Sequence, residues 1–446
     1  MKVLILAAGI GKRMSGREIH TPKPLLKLFG IPLIEHTLRK LLAYGFSSSD
    51  IVVVYHSDEV GEFLRSKFPS IGLIHNSLPK KGNGYSLFLA RERIDEDFVL
   101  LMSDHYYADG FFEILTEAIS GSCSEDESSE TYSTIVFVSR ECTSPEEATK
   151  VRVDDDRVVE IGKELKRYDY YDTGFFICKK GIFDYIVNLI NNDEIQLYSV
   201  MNEVAKDGKL SYVCVDDFWI DIDTPEDAAQ AKRLLKSGLQ KADDGCISRH
   251  LNRRLSTRLT EQLSRFDSIT PNHLTILSFS IGLLSSAIFF SGNVLLGGVM
   301  AQVCSVVDGC DGELARLKSM KTRFGGVFDA VTDRYVDVFI LLGMLWAYGL
   351  DWKGVAAFFL AVTGSVLFSY TWHQTGIRVP FAGRDVRLFI IMVGALLSQC
   401  IGYLSTSGGA ETLSTGVILL TMLSIGLLTH TGVVVSLVRL RGLFHR

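Results

Sequence analysis

Apolar residues fall along this chain in two unlike patterns. In the first half they come as short runs, at residues 3–8, 51–55, 98–102, 134–139 and 212–215, separated by polar and helical stretches. Such runs predict strands buried on both faces. The class expected is α/β, with a mostly parallel, Rossmann-like sheet covered by helices on both sides. In the second half the runs lengthen, at 274–290, 294–307, 336–350, 354–370, 388–404 and 415–438. These predict an all-α polytopic membrane domain of six transmembrane helices. A span needs about 20 residues, so the second and third helices should continue into the polar stretch between them.

Residues 236–270 differ from both halves. Arg249, Arg253, Arg254, Arg258 and Arg265 recur among Leu251, Leu255, Leu259 and Leu263. Leucines four apart share one helix face, and a basic amphipathic helix of this kind is expected on an anionic membrane surface. The chain is therefore read as a domain at 1–235, a basic juxtamembrane segment at 236–270 and a membrane domain at 271–446.

Composition narrows the function only slightly. A length of 446 residues exceeds one ordinary domain, and a net charge of −6 gives no reason to expect nucleic acid. The run at 3–8 is short and ends in a glycine turn, so it reads as a strand and not as a signal peptide. The eight cysteines form no C-x-x-C pair, which suits a reducing compartment. Charge predicts orientation. With the N-terminus inside, the inner connections carry Arg316, Lys318, Lys321, Arg323 and Arg334, then Arg378, Arg384 and Arg387, then Arg439, Arg441 and Arg446. The outer ones carry only Lys353. Excess Lys and Arg on one side predicts a multi-pass cell-membrane protein with its polar sites facing the cytoplasm.

The densest chemistry lies at 308–333, with the spacing D-x2-D-G-x2-A-R-x8-G-x3-D-x3-D. Asp308 and Asp311 share a helix face, and Gly325, Asp329 and Asp333 stack along another. Two such helices facing each other would gather four carboxylates, the ligands that hard divalent cations prefer. Carboxylates beside membrane-length runs are expensive and usually functional. The pattern resembles the CDP-alcohol phosphotransferase signature at all eight positions. The resemblance implies two divalent ions held by Asp308, Asp311, Asp329 and Asp333, with Asp333 also the general base. It further implies a CDP-alcohol held near Gly312, Ala315, Arg316 and Gly325. Arg378, Arg384 and Arg387 are read as topology determinants or as a clamp for an acceptor phosphate.

Near the N-terminus, the first strand runs into Gly9-Ile10-Gly11-Lys12-Arg13, and Lys23 follows in Thr21-Pro22-Lys23-Pro24-Leu25. Glycines that free backbone N–H groups, flanked by cations, suit a triphosphate. The third glycine of a dinucleotide fingerprint is missing, and no P-loop motif occurs. LAAGIGKRM with TPKPLL resembles the nucleotidyltransferases that join an NTP to a sugar or alcohol phosphate. That resemblance implies a nucleotide site at Leu6, Ala7, Ala8, Gly9, Gly11, Lys12, Arg13 and Lys23, with Asn83 and Gly84 near the base. Arg13 and Lys23 are implied to assist catalysis. Magnesium is implied at Asp104, after LLMS, and at Asp223 or Asp221 of WIDIDTPED. Asp223 also reads as a helix start. Lys163 is implied at the acceptor phosphate.

Taken whole, the chain resembles bifunctional enzymes that couple an inositol-1-phosphate cytidylyltransferase to a di-myo-inositol-phosphate phosphate synthase. This implies CTP, inositol 1-phosphate and CDP-inositol as partners, one or more Mg²⁺ in the soluble site, and a homodimer. The alternative is a phospholipid synthase using CDP-diacylglycerol, fused to a sugar-nucleotide or nucleotide-sensing domain.

Overall fold

β1 (Lys2–Ala7) is the hub of the N-terminal half because its side chains alternate between two cores. Leu4 and Leu6 join one cluster, with Val52, Val54 and Leu100. Val3, Ile5 and Ala7 join the other, with Ile51, Val53, Val99 and Leu101. A strand apolar on both faces needs cover on both, and helices supply it: Leu197–Lys206 on the first side, Leu33–Ala43 on the second. The computed structural model describes residues 1–9, 21–121, 133–155, 157–190, 192–239, 247–377, 379–404 and 410–444. They form two compact units, Met1–Leu234 and Leu235–Arg446.

Apart from a small hairpin of Lys27–Leu28 and Ile31–Pro32, the remaining strands of the first unit are β2 (Ile51–Tyr55), β3 (Gly72–His75), β4 (Phe98–Met102), β5 (His105–Tyr107), β6 (Thr134–Ser139), β7 (Lys150–Asp154), β8 (Arg157–Gly162), β9 (Tyr170–Cys178), β10 (Leu210–Cys214) and β11 (Trp219–Asp221). Eight of them join β1 in one nine-stranded sheet, in the order β3-β2-β1-β4-β9-β6-β10-β8-β7. The sheet is mixed, with β8 and β9 running against the other seven strands. β1, β2, β3 and β4 run parallel, and β10 is parallel to β6. β9 runs against β4, β6 and β7, and β8 against β7 and β10. Connection length explains the change, since only two residues separate β7 from β8 and a parallel crossover needs about a dozen. β5 and β11 stand apart as an antiparallel ribbon that sets Asp221 opposite His105.

In the second unit the helices are α1 (Arg253–Ser264), α2 (Pro271–Phe290), α3 (Val294–Leu317), α4 (Arg323–Tyr348), α5 (Trp352–Thr375), α6 (Arg384–Leu404) and α7 (Ala410–Phe444). α2, α3, α5, α6 and α7 are long and apolar enough to cross a membrane, five against the expected six. α4 has the length, 26 residues, but its apolar half still carries Asp333, Arg334 and Asp337. Small residues bring helices together: a Cβ on Gly364 of α5 would strike Thr429 of α7.

α1 and the turn before it press a polar face inward and leave part of the leucine stripe outward. Asn252, Ser256, Thr260 and Ser264 are buried, while Leu251 and Leu255 are exposed. Leu259 and Leu263 pack partly against Leu274, Cys310 and Leu314. The cause is Glu313 of α3, which is 0% exposed. It accepts from Arg253 Nη1 at 2.6 Å, Ser256 Oγ at 2.6 Å and Thr260 Oγ1 at 2.9 Å. A carboxylate this deep needs donors, so the hydroxyl face turns inward.

Candidate active sites

The soluble site forms where β4 ends. Met102 closes the strand and Asp104 follows, its carbonyl accepting from Ile222 N at 3.1 Å. The β5–β11 ribbon then brings Asp221 and Asp223 beside it from more than a hundred residues away. Asp104, His105 and Asp221 offer ligand atoms within 4.8 Å of one another. His105 Nδ1 donates to Thr173 O at 2.8 Å, which turns Nε2 toward Asp221 at 3.5 Å and Asp104 at 4.0 Å. Lys23 pairs with Asp223 and lies 3.9 Å from Asp104. Thr224 Oγ1, not Asp223, caps the helix that follows, accepting from Asp227 N at 3.1 Å. The helix-start reading of Asp223 therefore passes to its neighbour, and the Asp223 carboxylate faces Lys23.

Electrostatics bind this group together. Burial alone would keep His105 neutral, but Asp221 and Asp104 outweigh it and push its pKa up to about 9. Burial and the neighbouring Asp221 raise Asp104 above the usual carboxylate range. Burial opposes the charge on Lys23, yet Asp104 and Asp223 raise its pKa.

Two cavities meet at these carboxylates. One, of about 470 Å³, is lined by Leu6, Ala8, Gly9, Lys23, Asn83 and Asp104 among others. The second, of about 620 Å³, is lined by His105, Lys163, Asp172, Gly174 and Asp221, and shares Asp104, Asp223 and Asn83 with the first. Ala7 turns into the core instead. Gly84 packs against Ile195, its N–H donating to the Ile195 carbonyl at 2.9 Å, while Gly82, at φ 86°, lines the smaller cavity. Asn83 Oδ1 accepts from Leu197 N at 2.7 Å. Gly11, Lys12 and Arg13 lie outside the described residues.

The membrane-unit site forms between α3 and α4. Asp308, Asp329 and Asp333 present oxygens within 4.8 Å of one another. Asp311 stands beside them but turns one oxygen to Thr275 Oγ1, 2.6 Å away. Arg384, from the first turn of α6, reaches in, with Nη1 2.7 Å from Asp308 and 2.8 Å from Asp333. Arg387 pairs with Asp337 at 2.8 Å, and Arg378 lies outside the described residues. A cavity of about 260 Å³ includes Asp308, Asp333, Arg253, Arg334, Arg384 and Arg387 in its wall. One of about 440 Å³ is lined by Gly312, Ala315, Arg316, Gly325 and Asp329, with Asp311, Gly312, Arg316 and Asp329 common to both.

The residues fit divalent cations in both units. Among the described residues, Asp221 Oδ1, Asp308 Oδ1 and Asp329 Oδ1 are buried and meet no hydrogen-bond donor, and such oxygens suit a hard metal ion. Sequence reading missed His105, although it directly follows Asp104. It also missed Asp337, which continues the four-residue spacing of Asp329 and Asp333, and Glu313, hidden in a filler position of the signature.

Known proteins match both halves. The family model for a MobA-like NTP transferase domain covers residues 3–142, and that for CDP-alcohol phosphatidyltransferase covers 268–437. A protein of Archaeoglobus fulgidus called bifunctional IPC transferase and DIPP synthase is 36% identical over 417 residues, 89% of this chain and 79% of that one. Its namesake in Aquifex aeolicus is 35% identical, covering 88% of this chain and 91% of that one. The one in Thermococcus kodakarensis is 37% identical, covering 88% and 89%. With similarity running unbroken through a nucleotidyltransferase half and a CDP-alcohol phosphotransferase half, the chain belongs to the family of bifunctional IPC transferases and DIPP synthases.

Proposed function

We propose that the two units catalyse consecutive steps. In the first, a phosphate oxygen of inositol 1-phosphate attacks the α-phosphorus of CTP, giving CDP-inositol and releasing pyrophosphate. CTP occupies the cavity of Gly9 and Lys23, and inositol 1-phosphate that of Lys163. Lys23, with Arg13, offsets charge on the departing pyrophosphate. In the second step a hydroxyl oxygen of another inositol 1-phosphate attacks the inositol-bearing phosphorus of CDP-inositol. CMP leaves, and di-myo-inositol phosphate phosphate forms. Asp333 takes the hydroxyl proton. Gly312, Ala315, Arg316 and Gly325 border the donor, and Arg384, Arg387 and Arg378 serve the acceptor phosphate. Mg²⁺ held by Asp104, Asp221 and Asp223, and by Asp308, Asp311, Asp329 and Asp333, would neutralise phosphoryl charge.

One observation carries this reading: in each unit two cavities converge on a carboxylate cluster, as a donor and an acceptor require. We place the domain boundaries at 235 and 270, count α4 as the sixth span, and orient both sites to the cytoplasm on the positive-inside bias. A homodimer is inferred from the family. The test is to supply membranes with CTP, Mg²⁺ and inositol 1-phosphate, then follow pyrophosphate, CMP and products by mass spectrometry. Equal release of both small products, with a doubly inositol-bearing product, is expected. A lipid product formed only with CDP-diacylglycerol would overturn the second step.

A further inference from the structure

Arg384 is placed strangely for a residue whose only task is to meet a phosphate. Its Nη1 lies between two carboxylates on different helices, Asp308 of α3 and Asp333 of α4. That bridge is the one a divalent ion would make. Its Nε faces a third carboxylate, Asp337, at 3.2 Å. Asp337 lies one helical turn beyond Asp333 and is 8% exposed. Its other oxygen is held by Arg387 Nη2 at 2.8 Å, and Arg387 in turn donates to Ser365 O at 3.3 Å. Asp337 is thus a fixed post, and the guanidinium is hinged on it.

Oxygen by oxygen, the cluster divides its duties. Arg384 takes Asp308 Oδ2 and Asp333 Oδ1. Among the described residues, none donates a hydrogen bond to the buried Asp308 Oδ1 or Asp329 Oδ1. A guanidinium and a metal ion cannot share the same lone pairs, and two like charges a few ångströms apart repel strongly. A ring of buried carboxylates without any cation would repel itself in the same way.

We infer that Arg384 is the internal counter-cation of the aspartate cluster, competing with divalent metal for Asp308 and Asp333, and that Asp337 is the positioning residue that keeps it when metal enters. The inference rests on the metal assignment proposed above. On loading, Nη1 leaves Asp308 and Asp333 while Nε stays with Asp337. The freed end then points into the cavity where the acceptor phosphate is proposed to bind, so metal entry and acceptor recognition are joined through one side chain.

The test is Mn²⁺ binding to the full chain in detergent, by calorimetry, with a second readout from melting after chelation. Arg384→Gln should bind Mn²⁺ about tenfold more tightly or better, from loss of the competing charge. It should also melt lower than wild type when chelated. Asp337→Asn should bind Mn²⁺ more weakly than wild type. Arg387→Gln removes a positive charge from the same helix without touching Asp308 or Asp333, but it also loosens Asp337, and it should not tighten Mn²⁺ binding. Equal affinity of Arg384→Gln and wild type would overturn the inference alone, and so would an equally large gain in Arg387→Gln. Failure of every protein to bind Mn²⁺ would overturn the metal assignment with it. Should Arg384→Gln not fold, a structure of Mn²⁺-loaded wild type decides: Nη1 still bridging both carboxylates would overturn the proposal.

Discussion

Replacing Glu313 by alanine tests how α1 is held to the bundle. The carboxylate is 0% exposed and receives Arg253 at 2.6 Å, Ser256 at 2.6 Å and Thr260 at 2.9 Å. The Arg253 side chain is only 11% exposed, so Glu313→Ala takes this carboxylate from a cation that is largely out of water. Breaking one side of such a pair costs about 3–5 kcal/mol. Hydroxyl donors losing their acceptor act in the same direction, but the losses are not additive. At about 2–4 °C per kcal/mol for a unit of this size, melting should fall by about 6–20 °C. The assay is thermal unfolding in detergent followed by tryptophan fluorescence, since Trp346, Trp352 and Trp372 all lie in the second unit. CMP release should fall with it, because Arg253 and Ser256 line the cavity of Asp308, while pyrophosphate release should persist. The double variant Arg253→Ala/Glu313→Ala removes that cation as well, and should be more stable than Glu313→Ala alone. A Glu313→Ala protein melting within about 2 °C of wild type would refute the reasoning. A double variant as damaged as the sum of its singles would refute the charge argument in particular.

Asp333→Ala should abolish CMP release and spare pyrophosphate release; loss of both would contradict separate sites. Asp104→Ala should stop CDP-inositol synthesis, yet the protein should still turn over CDP-inositol supplied from outside, as CMP assay would show. Lys163→Ala should raise KM for inositol 1-phosphate in the first step several-fold and leave KM for CTP unchanged; equal changes in both would remove Lys163 from the acceptor side. Burial holds the His36 pKa down at about 3 against 6.5 when free, so its neutral form stabilises the fold. That contribution is complete above pH 6.5 and is lost as pH falls toward 3, and His36→Phe should flatten the melting-temperature slope across that window.

What could be read in advance follows physical rules of differing range. Helical spacing made the faces of Asp308, Asp311, Asp329 and Asp333 legible, because neighbours on a helix are set by local geometry. The strands at 51–55, 98–102 and 134–139 were legible for the same reason, and the structure forms them with those bounds. Strand direction was not, since it depends on which partner a strand meets; only the short link between β7 and β8 hinted at an antiparallel pair. The polar inner side of α1 was not legible, because leucine outranks serine in any apolar count. The decisive residue, Glu313, lies about fifty positions downstream. The contact that orients the His105 ring, with the Thr173 carbonyl, was beyond reach, being a backbone group seated by the fold.

The β5–β11 ribbon has a consequence for synthesis of the chain. Asp104 emerges from the ribosome early, but its companions Asp221 and Asp223 are translated only just before the first bilayer-length helix begins. Until then β5 has no partner strand, and His105 has no second carboxylate to face. The nucleotide-handling unit therefore becomes competent at about the moment its own tether to the bilayer is being made. A ribosome stalled short of Trp219 would leave every strand of the nine-stranded sheet made, but its carboxylate cluster without Asp221 and Asp223.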